Sequence, residues 1–129
     1  MFIWLAGDPT RVSPSLMQVL AESDTSLYMS HASAWELAIK KSIGKLQIPA
    51  DVQEYVQSRA EQFRISLLPI RLEHVCRVAT LPMHHGDPFD RLIVAQAISE
   101  QLVLVTADSR LAAYNVEILP GRRARASDD

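Results

Sequence analysis

The sequence predicts a single α/β domain with a mainly parallel sheet and helices on both faces, and three observations carry that expectation. Short strand-like runs alternate with helical segments, an order that needs crossover connections between parallel strands. The run Leu102–Thr106 is an unbroken series of leucine, valine and threonine, as in a strand buried on both faces. At 129 residues, 48% hydrophobic and 22% charged, the chain is of a size and composition to bury one core.

The elements follow in order. Ser13-Pro14 gives a capping hydroxyl and a proline at the first helical position, opening a helix from Ser15 to about Glu22. Ser26–Ser30 reads as a short strand. Ala32–Ile43 carries Trp35, Ala38 and Ile39 at helical spacing and stops at Gly44, a C-terminal cap. Asp51 and Glu54 fit a capping box that starts a helix running to about Phe63. Ile65–Ile70 reads as a strand, Arg71–Thr80 as a helix, and Pro88–Gln101 as a strongly apolar helix. The buried strand comes next, then a short helix over Ser109–Tyr114 and a last strand over Val116–Leu119. Residues 1–120 form the expected domain, and residues 121–129 read as a disordered tail.

Several function classes are disfavoured at this level. The lone cysteine, Cys76, rules out an internal disulfide framework and reads as a buried structural thiol, in keeping with a reducing, cytoplasmic setting. The apolar start Met1–Gly7 is too short for a membrane span and has no basic residue ahead of it. A net charge of −2 neither announces nor excludes a nucleic-acid partner. Val19, Leu20, Val52 and Val56 are read as apolar helix surface suited to a dimer or a partner segment.

Three acids fall just after strand ends, at or near helix starts: Glu36, Asp90 and Asp108. In a parallel sheet such positions converge on one edge, where ligands bind. Clustered carboxylates repel unless a cation neutralises them, and hard divalent ions prefer oxygen ligands. Each acid also has a purely structural reading. Ser33 and Glu36 match a capping box, and Glu36 is spaced to pair with Lys40. Asp87-Pro88-Phe89-Asp90 is a good helix start, and Asp108 can cap the helix that follows.

The stretches Trp35–Lys40, Leu81–Ala97 and Leu104–Asp108, above all Asp87-Pro88-Phe89-Asp90-Arg91-Leu92-Ile93-Val94-Ala95-Gln96-Ala97, resemble the successive motifs of PIN domains of the VapC toxin type. The resemblance spans about residues 3–119. It implies Mg²⁺- or Mn²⁺-dependent cleavage of RNA to a 3′-hydroxyl and a 5′-phosphate, with Glu36, Asp90 and Asp108 as catalytic metal ligands. Thr106 would support the site through its hydroxyl, and Asp87 would cap a helix at its rim. Lys40, Lys41, Lys45, Arg91 and Arg110 fall near that site or on its helices and read either as cations that hold RNA phosphates or as solvated surface charge. The implied partners are a VapB-type antitoxin, an RNA substrate and a second copy of the chain, with no membrane.

One departure goes with the resemblance. Members of the family usually open with a strand ending in Asp-Thr-His, followed by a helix whose end resembles Phe2–Pro9. Read that way, the first strand and its aspartate are missing and Asp8, following a helix, does not replace it. The expectations are then a sheet short of its central strand, lowered stability, and weak or absent cleavage. The alternative reading is a non-catalytic module of the same family that binds antitoxin or RNA.

Overall fold

The computed structural model describes residues 26–48, 51–82 and 86–106, the segments 2–5 and 118–120, and single residues at 15, 18, 19, 22, 114. Among the described residues the elements are β1 (Phe2–Leu5), β2 (Ser26–Ser30), α1 (His31–Ser42), α2 (Val52–Gln62), β3 (Ile65–Leu68), α3 (Leu72–Val78), α4 (Pro88–Glu100), β4 (Val103–Thr106) and β5 (Ile118–Pro120). They make one five-stranded sheet in the order β3-β2-β1-β4-β5, and every pair is parallel.

The expected loss of the central strand is corrected by this topology. Phe2–Leu5 is itself the central strand, with Ile3 in register with Leu27 on one side and Val103 on the other. An apolar run this short has no periodicity to separate strand from helix, and its aromatic and β-branched residues favour a pleated conformation. Pairing on both edges also satisfies backbone groups that β2 and β4 would otherwise leave exposed or orphaned.

Local sequence explains most boundaries. Gly44 adopts φ 76° just beyond α1, and the Lys45 amide reaches back to the Lys40 carbonyl, closing the helix. The Asp51 carboxylate accepts from the Glu54 amide at 2.7 Å and starts α2 as expected. Ser15, Gln18, Val19 and Glu22 are helical, with Gln18 donating to Glu22 one turn on. Pro120 ends β5 at the sheet edge, where a missing N–H is tolerated.

Alternation along the strands divides the core in two. Leu27, Met29, Ile65 and Val105 pack on one face with Leu37, Val56 and Phe63. Leu104 packs on the other with Ala32, Ile93, Val94, Ala97 and Tyr114. Burying each large apolar side chain contributes roughly 1.5–3 kcal/mol, so both layers hold the sheet against its helices. Val56 is buried and Val52 packs against the first cluster, so neither offers free surface for a partner; Val19 does. Leu20 lies outside the described residues. Cys76, expected to be buried, is exposed on α3. Among the described residues no helix is long and apolar enough to cross a membrane.

Candidate metal centre

Because all five strands are parallel, their carboxyl ends share one edge. The chain moves outward from β1 through β2 to β3, then returns to the far side of β1 for β4. That reversal opens a crevice beside β1, the usual ligand position in open α/β sheets.

α1 starts directly at the end of β2. Its N-cap is Ser30, whose Oγ accepts from the Ala32 amide at 2.8 Å. The capping box expected from Ser33 and Glu36 is therefore not the helix start. Glu36 stands in the second turn, half-buried, and its capping explanation falls away. α4 starts at Pro88 with Asp87 as N-cap: one carboxylate oxygen accepts from the Phe89 amide at 2.9 Å and the Asp90 amide at 3.1 Å. The capping role expected of Asp87 is thus observed, and Asp90 follows in the first turn, half-buried.

Two contacts fix how these helices lie. The Ser30 hydroxyl donates to Oε1 of Gln96, and the rings of Trp35 and Phe89 meet edge to face with centroids 4.8 Å apart. As numbering rises along α1 it falls along α4, so the two helices run antiparallel side by side. Glu36 is six residues beyond Ser30, and Asp90 is six residues before Gln96. At 1.5 Å per residue both carboxylates stand about 9 Å above the Ser30–Gln96 contact. The folded chain brings Glu36 and Asp90 to one level on neighbouring helices.

Polar side chains hold this arrangement. Gln96 is fully buried, and its amide nitrogen lies 3.3 Å from Nδ1 of His74 and 3.4 Å from the Pro69 carbonyl. Nδ1 of His74 also accepts from the Arg71 amide at 3.0 Å, which places the ring proton on Nε2, 2.8 Å from Glu100. Glu73, His74 and Glu100 have metal-ligand spacing, within 4.8 Å of one another. Both imidazole nitrogens are already engaged, so this group is a brace between α3 and α4. Replacing Ser30 with alanine removes the α1 cap and leaves the buried Gln96 oxygen unmatched. The expected loss is about 1–3 kcal/mol in a urea melt, with an unchanged m-value.

Arg91 departs from its expected role. Its guanidinium donates to the carbonyls of Pro82 (2.9 Å), Val78 (3.2 Å) and Leu81 (3.4 Å) and to the Tyr114 hydroxyl (3.1 Å), at 8% exposure. The cation sits on the last carbonyl of α3, Val78, and on two carbonyls of the segment that follows, at the helix end where the dipole favours positive charge. It is committed to protein carbonyls instead of phosphate. The spacing to buried Val94 and Ala95, three and four residues on, was the signal for this inward direction.

Of the other residues expected at the site, Lys40 lies on α1 one turn after Glu36, and Thr106 ends β4 at the same sheet edge. Asp108, Arg110 and Asp8 lie outside the described residues, as does the tail over residues 121–129. The ground for setting Asp8 aside does not hold, since the segment before it is a strand. Gln96, His74, Ser30 and Tyr114 were not expected to matter. A glutamine within the apolar run Ile93–Ile98 was the available clue.

The neutralising partner of such a site has to suit its donors. Neither Glu36 nor Asp90 serves as a helix N-cap, and both offer carboxylate oxygen at one level, which fits a hard divalent cation.

The PIN domain family model matches residues 2–117. Ribonuclease VapC22 of Mycobacterium tuberculosis is 32% identical over 113 residues, covering 86% of this chain and 84% of that protein. The structure of VapBC2 from Rickettsia felis, bound to a promoter DNA fragment, superposes with TM-score 0.67 and 18% identity, over 93% of this chain and 98% of that one. VapBC-1 from nontypeable Haemophilus influenzae gives TM-score 0.67 and 18% identity over 94% and 98%. The match extends over nearly the whole length of the chain, which belongs to the PIN domain family and to its VapC-type members.

Proposed function

We propose that the chain is a metal-dependent endoribonuclease toxin of a toxin–antitoxin system. The family match and the ribonuclease relative support the reaction class, and the VapBC complexes among its structural neighbours support an antitoxin partner of the VapB kind. The observation that carries the reading is the common level of Glu36 and Asp90 on antiparallel α1 and α4 at the crevice edge.

Glu36 and Asp90, with Asp108 beyond β4, would hold Mg²⁺ or Mn²⁺. The bound ion supplies charge stabilisation at the phosphodiester and eases deprotonation of an attacking water. Asp87 holds the first turn of α4, so that Asp90 is presented on a capped helix. Trp35 in the second turn of α1 packs on Phe89 at the start of α4, next to Glu36 and Asp90 in sequence, and fixes the two helices relative to each other there. Thr106 supports the sheet edge, and Lys40 and Arg110 are the cations proposed to meet RNA phosphates. Arg91 is instead a positioning residue.

Incubating the 129-residue chain with structured RNAs in Mg²⁺ or Mn²⁺ tests this reading. The expected result is endonucleolytic cleavage that EDTA abolishes and that Glu36→Gln lowers at least 100-fold. Saturable Mn²⁺ binding without cleavage of any RNA would favour a non-catalytic PIN module. Cleavage that survives EDTA would overturn the metal-dependent reading.

A further inference from the structure

We propose that Trp35 is a base-stacking platform that holds an unpaired nucleobase of RNA beside the carboxylate site and so makes the site selective for single strands. The proposal takes its occupant from the RNA-cleaving reading above. Trp35 carries the largest of the apolar side-chain types, yet it is 56% exposed. Its ring meets Phe89 edge to face, and the residues that directly follow these two rings in sequence are Glu36 and Asp90. An exposed indole therefore stands next to both candidate metal ligands. Ile39, 36% exposed, and Ile43, 59% exposed, continue from it at about 6 Å intervals to the end of α1, within roughly an 80° arc. A single exposed apolar residue is ordinary on a protein surface, whereas three in a row leading from a polar site form a binding surface.

Charge selects the occupant. Between Glu36 and Asp51 the chain carries Lys40, Lys41 and Lys45 and no acid. The stripe thus runs from carboxylates that a divalent cation would neutralise into a wholly cationic stretch. Apolar surface accompanied by lysines suits a polyanion with flat apolar faces, which is a single-stranded nucleic acid. A duplex keeps those faces inside its own stack and offers this surface only phosphates. If the carboxylates act on a phosphodiester, the nucleoside next to the scissile phosphate is the group that reaches Trp35.

The test is an anisotropy titration of the full chain carrying Asp90→Asn, so that the RNA stays intact. It uses a labelled adenylate dodecamer, alone and paired with a uridylate dodecamer. Trp35→Leu in that chain should weaken binding of the single strand about tenfold or more and leave duplex binding unchanged. Trp35→Tyr keeps a ring and should stay within about threefold of the parent, while Lys45→Ala should weaken strand and duplex alike. Indole emission should fall as the single strand saturates the chain, and that fall should be absent from Trp35→Leu. Equal strand binding with and without the Trp35 ring, as expected if this surface serves an apolar peptide instead, would overturn the proposal. An equal loss on strand and duplex, or a quench that persists in Trp35→Leu, would overturn it too. Cleavage by the Asp90 chain beside any of these results leaves the nuclease reading standing, whereas stacking without cleavage removes that reading and keeps the platform.

Discussion

Asp90→Asn should lower RNA cleavage at least 100-fold while leaving the fold intact. The carboxylate stands in the first turn of α4, after a cap that Asp87 supplies by itself. Removing its charge forfeits the interaction of an acid with the helix N-terminus, about 0.3–1 kcal/mol, and relieves repulsion from Glu36. Losing the proposed metal ligand costs more, and 100-fold corresponds to about 2.7 kcal/mol. Melting and cleavage of the same preparation separate the two effects: stability should move by less than roughly 1 kcal/mol as the rate collapses. Asp87→Asn should lower the rate much less, because asparagine still caps α4 and Asp90 keeps its charge.

Arg91→Met should destabilise the domain by about 2–4 kcal/mol. The methionine keeps much of the buried aliphatic stem but strips donors from the carbonyls of Val78, Leu81 and Pro82 and from the Tyr114 hydroxyl. Charged hydrogen bonds of this kind are worth more than neutral ones, and a buried acceptor left unsatisfied costs about 1–3 kcal/mol. Arg91→Lys should recover only part, since an ammonium cannot span four acceptors as a planar guanidinium does. Chemical denaturation gives the stability change. If Arg91 met RNA phosphates instead, the methionine variant would melt like the parent and show only a raised KM.

Much of this fold was legible from local chemistry. The caps at Asp51 and Asp87, the stop at Gly44 and the strand Ser26–Ser30 follow from side chains that act within one turn or one pleat. The failures lie where a decision is made by distant partners. Phe2–Leu5 is an apolar tetrad whose conformation is set by the edges of β2 and β4, not by its own pattern. Ser30, not Ser33, caps α1, because the end of β2 fixes where the chain turns. Arg91 reads as a surface cation until the Val78, Leu81 and Pro82 carbonyls it serves are in place. Cys76 reads as core in a helix whose buried side proves to be centred on His74.

The site was legible in part as well. Glu36 and Asp90 could be named from their positions after strand and loop, but their common level depends on the pairing of Ser30 with Gln96 and of Trp35 with Phe89. Those contacts join residues 66 and 54 positions apart, a separation no local pattern reports.

The central claim, that Glu36 and Asp90 form one divalent-cation site, is tested most directly by melting the chain across a Mn²⁺ series beside Glu36→Gln and Asp90→Asn. A ligand that binds only the folded state stabilises it by about 2.7 kcal/mol at one hundred times its Kd. The parent should gain stability in proportion to the logarithm of Mn²⁺ above that Kd, and both variants should lose most of the gain while melting normally in EDTA. Equal Mn²⁺ stabilisation of the parent and both variants would contradict a shared site.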